Sequence, residues 1–119
     1  MHEMSYVIQV ANLAAAKARE ANAVKVEKVA IAVGEMTGLV PEYLTRYWPY
    51  AVKGTILEGS CLSIEYRQVK MRCAVCGKIY HPNRDNQYLC PDCKTSRGTL
   101  ISGREFELTD ITVVQHVDG

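Results

Sequence analysis

The stretch CAVCGKIYHPNRDNQYLCPDC, residues 73–93, decides how this chain folds. It holds two Cys-x2-Cys pairs that are separated by thirteen residues. Each pair can bring two thiolates to one ion from a tight turn, and Gly77 permits the left-handed backbone that such a turn needs. Four thiolates suit tetrahedral Zn2+, which lies about 2.3 Å from each sulfur. The spacing therefore predicts a zinc site with four ligands: Cys73, Cys76, Cys90 and Cys93.

The predicted zinc is structural. Four protein ligands leave no position for a water molecule, so we do not expect catalysis at this metal. A lobe of roughly thirty residues cannot build a sufficient core, and the metal would take the place of one. An iron or iron–sulfur site and a redox dithiol are the alternatives for this cysteine pattern. A thioredoxin-type motif usually has one pair at a strand–helix junction, whereas these two pairs lie among turn residues.

Two helices are predicted ahead of the cysteines. An alanine-rich segment from Met4 to about Ala21 repeats apolar residues at helical spacing, and Asn22 can end it in the left-handed conformation. The segment PEYLTRYWPYAVKG, residues 41–54, predicts the second helix. Pro49 cannot donate to the carbonyl of Thr45, so we expect a kink or an early end there. The apolar face of this helix is predicted to contain Tyr43, Leu44, Tyr47, Ala51 and Val52.

Three strands are predicted from alternating apolar residues. They lie in VKVEKVAIAV (24–33), CLSIEYRQV (61–69) and REFELTDITVVQH (104–116). The alternation of the first strand slips one place near Glu27, which indicates either a bulge or a later start of the strand. The alternation of the last strand slips near Thr109 and Asp110, which indicates a second bulge.

The order helix, strand, helix, strand, cysteine module, strand predicts an α/β fold. A small three-stranded sheet would carry two helices on one face, and a zinc-ribbon-like four-cysteine lobe would be inserted between two of its strands. We predict one α/β domain from residues 1–70 and 104–119, and a structural zinc-binding domain from residues 71–103.

Charge and composition narrow the classes of function. The chain has 119 residues and a formal net charge of +1, so it has no strong attraction to nucleic acid or a membrane surface. Residues 67–104 nevertheless hold eight basic and two acidic side chains. A zinc-ribbon module that binds nucleic acid or protein is therefore one alternative, and a thiol redox protein is another. No apolar run approaches the ~20 residues of a membrane span, and no signal-peptide pattern begins the chain, so we expect a cytoplasmic protein.

The first residues form a chelating motif. The amine of Met1, the peptide nitrogen of His2 and the His2 imidazole can hold one ion in a five-membered and a six-membered ring. Planar nitrogen donors of this kind favour Ni2+ and Cu2+ over Zn2+ and Mg2+. The fourth position could be filled by the Glu3 amide or carboxylate, by water or by a partner. Histidine also occurs second in many chains by chance, so the motif alone leaves an ordinary chain start open.

Four other residues combine a candidate role with an ordinary structural interpretation. His81 could replace a cysteine ligand or alter the site when protonated, but we interpret it as a surface histidine. Cys61 has no paired cysteine nearby, and we interpret it as a small strand residue. We expect His116 to be solvated and Glu35 to belong to a turn without a ligand role.

Segments in order along nearly the whole chain resemble one protein family. They are MHE at the start, VAIAVGEMTGLVPEYL (29–44), KGTILEGSCLSI (53–64), CAVCG…CPDC (73–93) and a final hydrophobic strand. Together they resemble the HypA/HybF family of nickel-insertion accessory proteins in [NiFe]-hydrogenase maturation. Pro49 departs from the pattern, because it lies where members of that family carry a helix.

The resemblance implies a nickel metallochaperone and not an enzyme. It makes His2 the central nickel ligand, with backbone nitrogens of Met1 and Glu3 completing a planar site in the α/β domain, and it makes the four-cysteine zinc structural. The implied partners are a HypB-type GTPase, the large subunit of [NiFe]-hydrogenase and, in some organisms, a urease accessory protein. Neither nucleic acid nor a membrane is implied, and we expect a monomer or weak homodimer.

Overall fold

The computed structural model describes residues 3–115, which form two helices and six strands. Helix α1 spans Glu3–Glu20 and α2 spans Pro41–Val52. The strands are β1 Ala23–Gly34, β2 Cys61–Arg67, β3 Lys70–Cys73, β4 Ile79–Tyr80, β5 Gly98–Ser102 and β6 Phe106–Gln115, and a short 3-10 turn spans Glu35–Thr37. Neither helix in this range is long and apolar enough to span a bilayer.

Strand β1 is the centre of the first sheet. Strand β2 pairs with it in parallel and β6 pairs with it antiparallel, in the order β2-β1-β6. Both predicted bulges are confirmed, because the pairing of β1 with β6 skips Glu27 in β1 and Thr109 in β6. Since β1 begins at Ala23, the slip near Glu27 is a bulge and not a later start of the strand.

Both helices cover the same face of this sheet. The predicted first helix is confirmed, and Asn22 follows it at φ 56. The shared core contains Val7, Val10, Ala11, Ala14 and Ala18 of α1, Leu44, Trp48 and Val52 of α2, and Val26, Val29, Ile31 and Val33 of β1. Between these, Ala30 and Ala32 of β1 point to the opposite face, as the two-residue period of a strand requires. The predicted α/β arrangement is thus confirmed.

Helix α2 continues through Pro49 to Val52, so of the predicted kink or early end, the early end is wrong. Pro49 removes one hydrogen bond from the helix interior. Its neighbour Trp48 is buried, and the indole Nε1 donates to Ser60 Oγ at 3.0 Å. Burial of such a large aromatic ring contributes more to the stability of the fold than one backbone hydrogen bond does. Packing therefore keeps the last turn helical despite the proline.

The buried face of α2 differs from the prediction at one residue, because Trp48 is buried in place of Tyr43 while the other predicted residues lie in or against the core. Leu44, Trp48 and Val52 lie at four-residue spacing and are almost completely buried. Tyr43, which the sequence pattern places on this face, is 42% exposed, and Arg46 lies over its ring at 5.5 Å from the centroid. The core thus takes the indole ring and leaves the phenol in contact with solvent, where its hydroxyl remains hydrated.

The segment between β2 and β6 forms a second sheet, and we call residues 70–102 the inserted lobe. Its strands are antiparallel, in the order β4-β3-β5. Buried side chains are confined to Cys73, Tyr80 and Cys90, with Met71 and Cys93 packed against them. A cluster this small cannot offset the conformational entropy of the segment. The inserted lobe therefore depends on something other than apolar packing.

Candidate metal sites

The four paired cysteines converge in the inserted lobe. The Sγ atoms of Cys73, Cys76, Cys90 and Cys93 all lie within 4.8 Å of one another, and those of Cys76 and Cys90 are 3.6 Å apart. A tetrahedral zinc with bonds of about 2.3 Å places its sulfur ligands roughly 3.8 Å apart. The cluster therefore fits structural zinc, as predicted. Within residues 3–115, no other group of three or more His, Cys, Asp or Glu side chains converges in this way.

Two equivalent turns present the cysteine pairs. In the first turn, Gly77 N donates to Cys73 O at 3.0 Å and Val75 N donates to Cys73 Sγ at 3.4 Å. In the second turn, Lys94 N donates to Cys90 O at 2.9 Å, and a backbone amide again donates to the sulfur, at 3.5 Å. Gly77 and Lys94 occupy equivalent left-handed positions, at φ 75 and 58. The sequence indicated the glycine but not the lysine, because lysine carries no left-handed signal.

Hydrogen bonds to the sulfur atoms separate the pKa values of two of the thiols. The backbone N–H of Cys76, followed by that of Val75, lowers the pKa of Cys73 to about 7. A hydrogen bond with the Cys76 thiol, followed by burial, raises the pKa of Cys93 to about 12. Hydrogen bonding within the cluster thus favours the thiolate at Cys73 and the thiol at Cys93, so a metal that binds here has to displace protons.

The predicted nickel ligands are only partly within the described chain. Met1 and His2 lie outside the described residues, and Glu3 is the first residue of α1 and is half-buried. One turn further on, the ring of Tyr6 packs edge-on against Phe106, with centroids 4.9 Å apart. Phe106 pairs with Val33 at the end of β1. The start of α1 thus lies at the end of the first sheet where the chain passes into the inserted lobe.

His81 and Glu35 meet at that same end of the sheet. His81 does not join the cysteine cluster, and its Nδ1 lies 2.7 Å from the carbonyl oxygen of Val69. Glu35 accepts a hydrogen bond from the amide of Val69 at 2.8 Å. The sequence did not predict this contact, because residues far apart in the chain form it and neither belongs to a spaced motif. Cys61 is exposed at the start of β2, and His116 lies outside the described residues.

A second polar cluster lies beside this contact. Arg67, the last residue of β2, forms ion pairs with Glu65, with Glu105 at 3.2 Å and with Glu107 at 3.3 Å. Glu105 also accepts from the amide of Gly103 at 2.6 Å. The pKa of the Glu105 carboxyl group is lowered mainly by the backbone N–H of Glu105 itself and by that of Gly103. Arg67 lowers this pKa further. The less exposed pair, between Arg67 and Glu105, joins the end of β2 to the residue that precedes β6.

The chain matches a known family along almost its whole length. The family described as "Hydrogenase/urease nickel incorporation, metallochaperone, hypA" matches residues 1–113. The "Hydrogenase maturation factor HypA" of Chlorobium limicola is 33% identical over 116 residues, which cover 95% of this chain and 97% of that protein. The protein of the same description from Streptomyces avermitilis is 35% identical over 112 residues, covering 93% and 86%.

Solved structures of this kind share the fold. The solution structure of the Ni metallochaperone HypA from Helicobacter pylori superimposes with a TM-score of 0.68, covering 98% of this chain and all of that one at 21% identity. A second solution structure of a HypA protein gives a TM-score of 0.71, covering 98% of both chains, also at 21% identity. The resemblance of the sequence is therefore confirmed, and the chain belongs to the HypA family of metallochaperones for nickel incorporation into hydrogenase and urease.

Proposed function

We propose that this chain binds Ni2+ at its N-terminus and delivers it for [NiFe]-hydrogenase maturation, as a cytoplasmic metallochaperone that is not an enzyme. The observation that carries the proposal is the convergence of all four paired cysteines in one closed cluster. Four thiolates suit a resident zinc and leave no open coordination position. A metal that has to leave again therefore needs another set of ligands, and the first residues provide one.

The proposed nickel ligands are the Met1 amine, the His2 amide nitrogen and imidazole, and the Glu3 amide nitrogen or carboxylate. Two chelate rings hold three nitrogens in a plane, which suits Ni2+. A weakly held fourth position gives a receiving protein a place to begin ligand exchange. Thiolates remain available for zinc only where cysteines stay reduced, which supports the cytoplasm as the compartment.

The packing of α1 supports a well-defined position for such a site. Tyr6 packs the first turns of the helix against Phe106, so Glu3, the last of the proposed ligands, begins a rigid element. We propose that residues 1–70 and 104–119 form the nickel-binding domain and that residues 71–103 form the structural zinc domain.

The proposed partners are a HypB-type GTPase, the large subunit of [NiFe]-hydrogenase and, where urease is made, a urease accessory protein. Exposed basic side chains of the inserted lobe, Arg84, Lys94 and Arg97, offer a positive surface to an acidic partner. Complementary charge raises the rate of association more than the final affinity. The effect of salt on the association rate therefore measures how much this surface contributes.

Nickel titration of the untagged, zinc-loaded protein tests the proposal. His2→Ala should lose high-affinity nickel binding and keep its zinc, whereas the control His116→Ala should keep both. X-ray absorption of the nickel-loaded protein should show planar nitrogen and oxygen donors without sulfur. Equal nickel binding by His2→Ala and the parent protein, or sulfur ligation of nickel, would overturn the assignment to the N-terminus.

A further inference from the structure

The backbone of Val69 is held from two directions. Glu35 Oε1 accepts from Val69 N at 2.8 Å, and His81 Nδ1 lies 2.7 Å from Val69 O. A carbonyl oxygen only accepts hydrogen bonds, so the Nδ1 of His81 must carry the proton and donate it. The same nitrogen lies 3.9 Å from Glu35 Oε1. Carboxylate, backbone and imidazole thus form one compact contact.

This contact connects the two parts of the molecule. Glu35 follows β1 in the α/β part, and His81 follows β4 in the inserted lobe. Val69 belongs to the two-residue connection between β2 and β3, which is where the chain first crosses into the lobe. The contact therefore joins one side chain from each part across the connection itself.

The chain returns from the lobe beside the same segment of β1. Gly34 N donates to Glu105 O at 2.6 Å, and Met36 N donates to Gly103 O at 2.7 Å. The return crossing is therefore fixed to the end of β1 by these two main-chain hydrogen bonds. Gly103 has φ 120, a conformation that other residues rarely adopt, and it has no β-carbon to restrict rotation. The outward crossing at Val69 needs contacts of its own to prevent the lobe from turning.

We propose that Glu35 and His81 are positioning residues that clamp the Val69 backbone and fix the inserted lobe at the end of the sheet where α1 begins. Their side chains are held between the two parts, so a rotation of the lobe about either crossing separates them. The clamp needs only the carboxylate oxygen as acceptor and the Nδ1–H of the imidazole as donor.

The importance of the clamp for nickel rests on the proposed function. A partner that takes nickel from the N-terminus would meet the inserted lobe in one fixed orientation beside it. Loss of the clamp should then slow nickel transfer without changing the nickel or zinc ligands. Affinity for nickel and zinc content should stay the same, which separates a positioning role from a ligand role.

Residual dipolar couplings of the zinc-bound protein, measured without nickel, test the clamp. Couplings of the α/β part and the inserted lobe should fit one alignment tensor in the parent protein. Glu35→Ala and His81→Ala should each require two tensors, because the parts reorient independently. The matched control is Glu58→Ala, since Glu58 is an exposed glutamate in the loop before β2, and it should keep one tensor.

Conservative variants distinguish hydrogen bonding from side-chain volume. Glu35→Gln keeps an acceptor oxygen and His81→Asn keeps an N–H at the same distance from the backbone, so both should restore one tensor. Hydrogen exchange of the Val69 amide should accelerate at least about tenfold in Glu35→Ala. One tensor in both alanine variants, or two tensors in both conservative variants, would overturn the proposal. If Glu35→Ala loses its fold, His81→Ala decides, because it leaves β1 intact.

Nickel measurements on the same variants separate this inference from the proposed function. If the parent protein has no N-terminal nickel site, the proposed function fails, while the tensors still decide whether the clamp exists. If the alanine variants need two tensors but transfer nickel to the hydrogenase large subunit at the parent rate, the clamp stands and its role in delivery is overturned.

Discussion

Gly34 and Gly103 touch backbone to backbone at the junction of the two sheets. A β-carbon added to Gly34 would lie only 2.1 Å from the carbonyl oxygen of Gly103. The contact brings the end of β1 against the strand connection that returns from the inserted lobe. Because both partners are main-chain atoms, no rotation of a side chain can make room there.

Gly34→Ala should therefore destabilise the protein, by about 1–3 kcal/mol, which is typical of overpacking. The matched control is Gly38→Ala. Gly38 has φ 73, and a β-carbon added there would meet nothing within 4 Å beyond its chain neighbours. The free energy of unfolding of this variant should therefore fall only by the ~1 kcal/mol that the left-handed conformation costs an alanine. Urea denaturation of the zinc-bound proteins measures both. A smaller loss of stability for Gly34→Ala than for Gly38→Ala would show that the backbone at the junction shifts to accommodate the added methyl group.

Removal of zinc with a chelator should unfold the inserted lobe and leave the α/β part folded. The lobe buries only Cys73, Tyr80 and Cys90, whereas the first sheet has its own core. Structural zinc sites typically supply about 10–16 kcal/mol, which this small cluster cannot replace. Amide spectra should show collapsed lobe resonances beside dispersed α/β resonances. Cys90→Ser should do the same, and Cys61→Ser should retain zinc because Cys61 stands apart from the cluster.

Two glycines placed before Met1 should weaken nickel binding strongly. The amine would then be too far from the His2 imidazole for the two small chelate rings. Loss of even an outer partner of a metal ligand costs about 10–100-fold in affinity, so loss of a ligand should cost at least as much. Calorimetry measures the affinity, and the same two glycines after Gly119 are the control. Unchanged affinity in the first protein would mean that the amine is not a ligand.

Glu105→Gln should lower stability at neutral pH but not in acid. Backbone N–H groups and Arg67 lower the pKa of Glu105 in the folded protein, so its carboxylate stabilises the fold above the ordinary glutamate range. This contribution is lost as pH falls through the lowered pKa, because the group then protonates in both states. Thermal unfolding from pH 7 to pH 3 should show the two proteins converge. A constant difference at all pH values would contradict the effect of charge.

Pro49→Ala should stabilise α2. Alanine restores the N–H that can donate to the carbonyl of Thr45, and proline in a helix interior costs about 3 kcal/mol relative to alanine. Because the native helix already accommodates the ring, a gain of roughly 1–2 kcal/mol is expected. Pro41→Ala is the control, since a first-turn residue has no helical acceptor to restore. Equal effects of the two substitutions would show that the interior proline is not strained.

Local patterns in the sequence predict most of the fold and the zinc cluster. The slips in alternation near Glu27 and Thr109 are bulges, and Asn22 takes the left-handed conformation. Four of the five residues predicted for the buried face of α2 lie in or against the core. The prediction misses Trp48 in favour of Tyr43, because the burial of Trp48 depends on Ser60 and the loop that holds it. The contact of Glu35 with His81 could not be predicted, since tertiary packing alone brings these residues together. Sequence patterns indicate contacts between residues that are near each other in the chain. The junction between the two sheets is formed by residues that are far apart in the chain.

The order of strands along the chain also determines the order in which the molecule can be completed during synthesis. Strand β1 is made early, but its partner β6 is the last of the described strands. Val33 therefore pairs with Phe106 only after β6 has been synthesised. All four paired cysteines leave the ribosome before β6 does. A nascent chain can therefore capture zinc and close its small sheet while the larger sheet still lacks one edge. The metal then brings the two ends of the insertion together and shortens the loop that the final strand has to close.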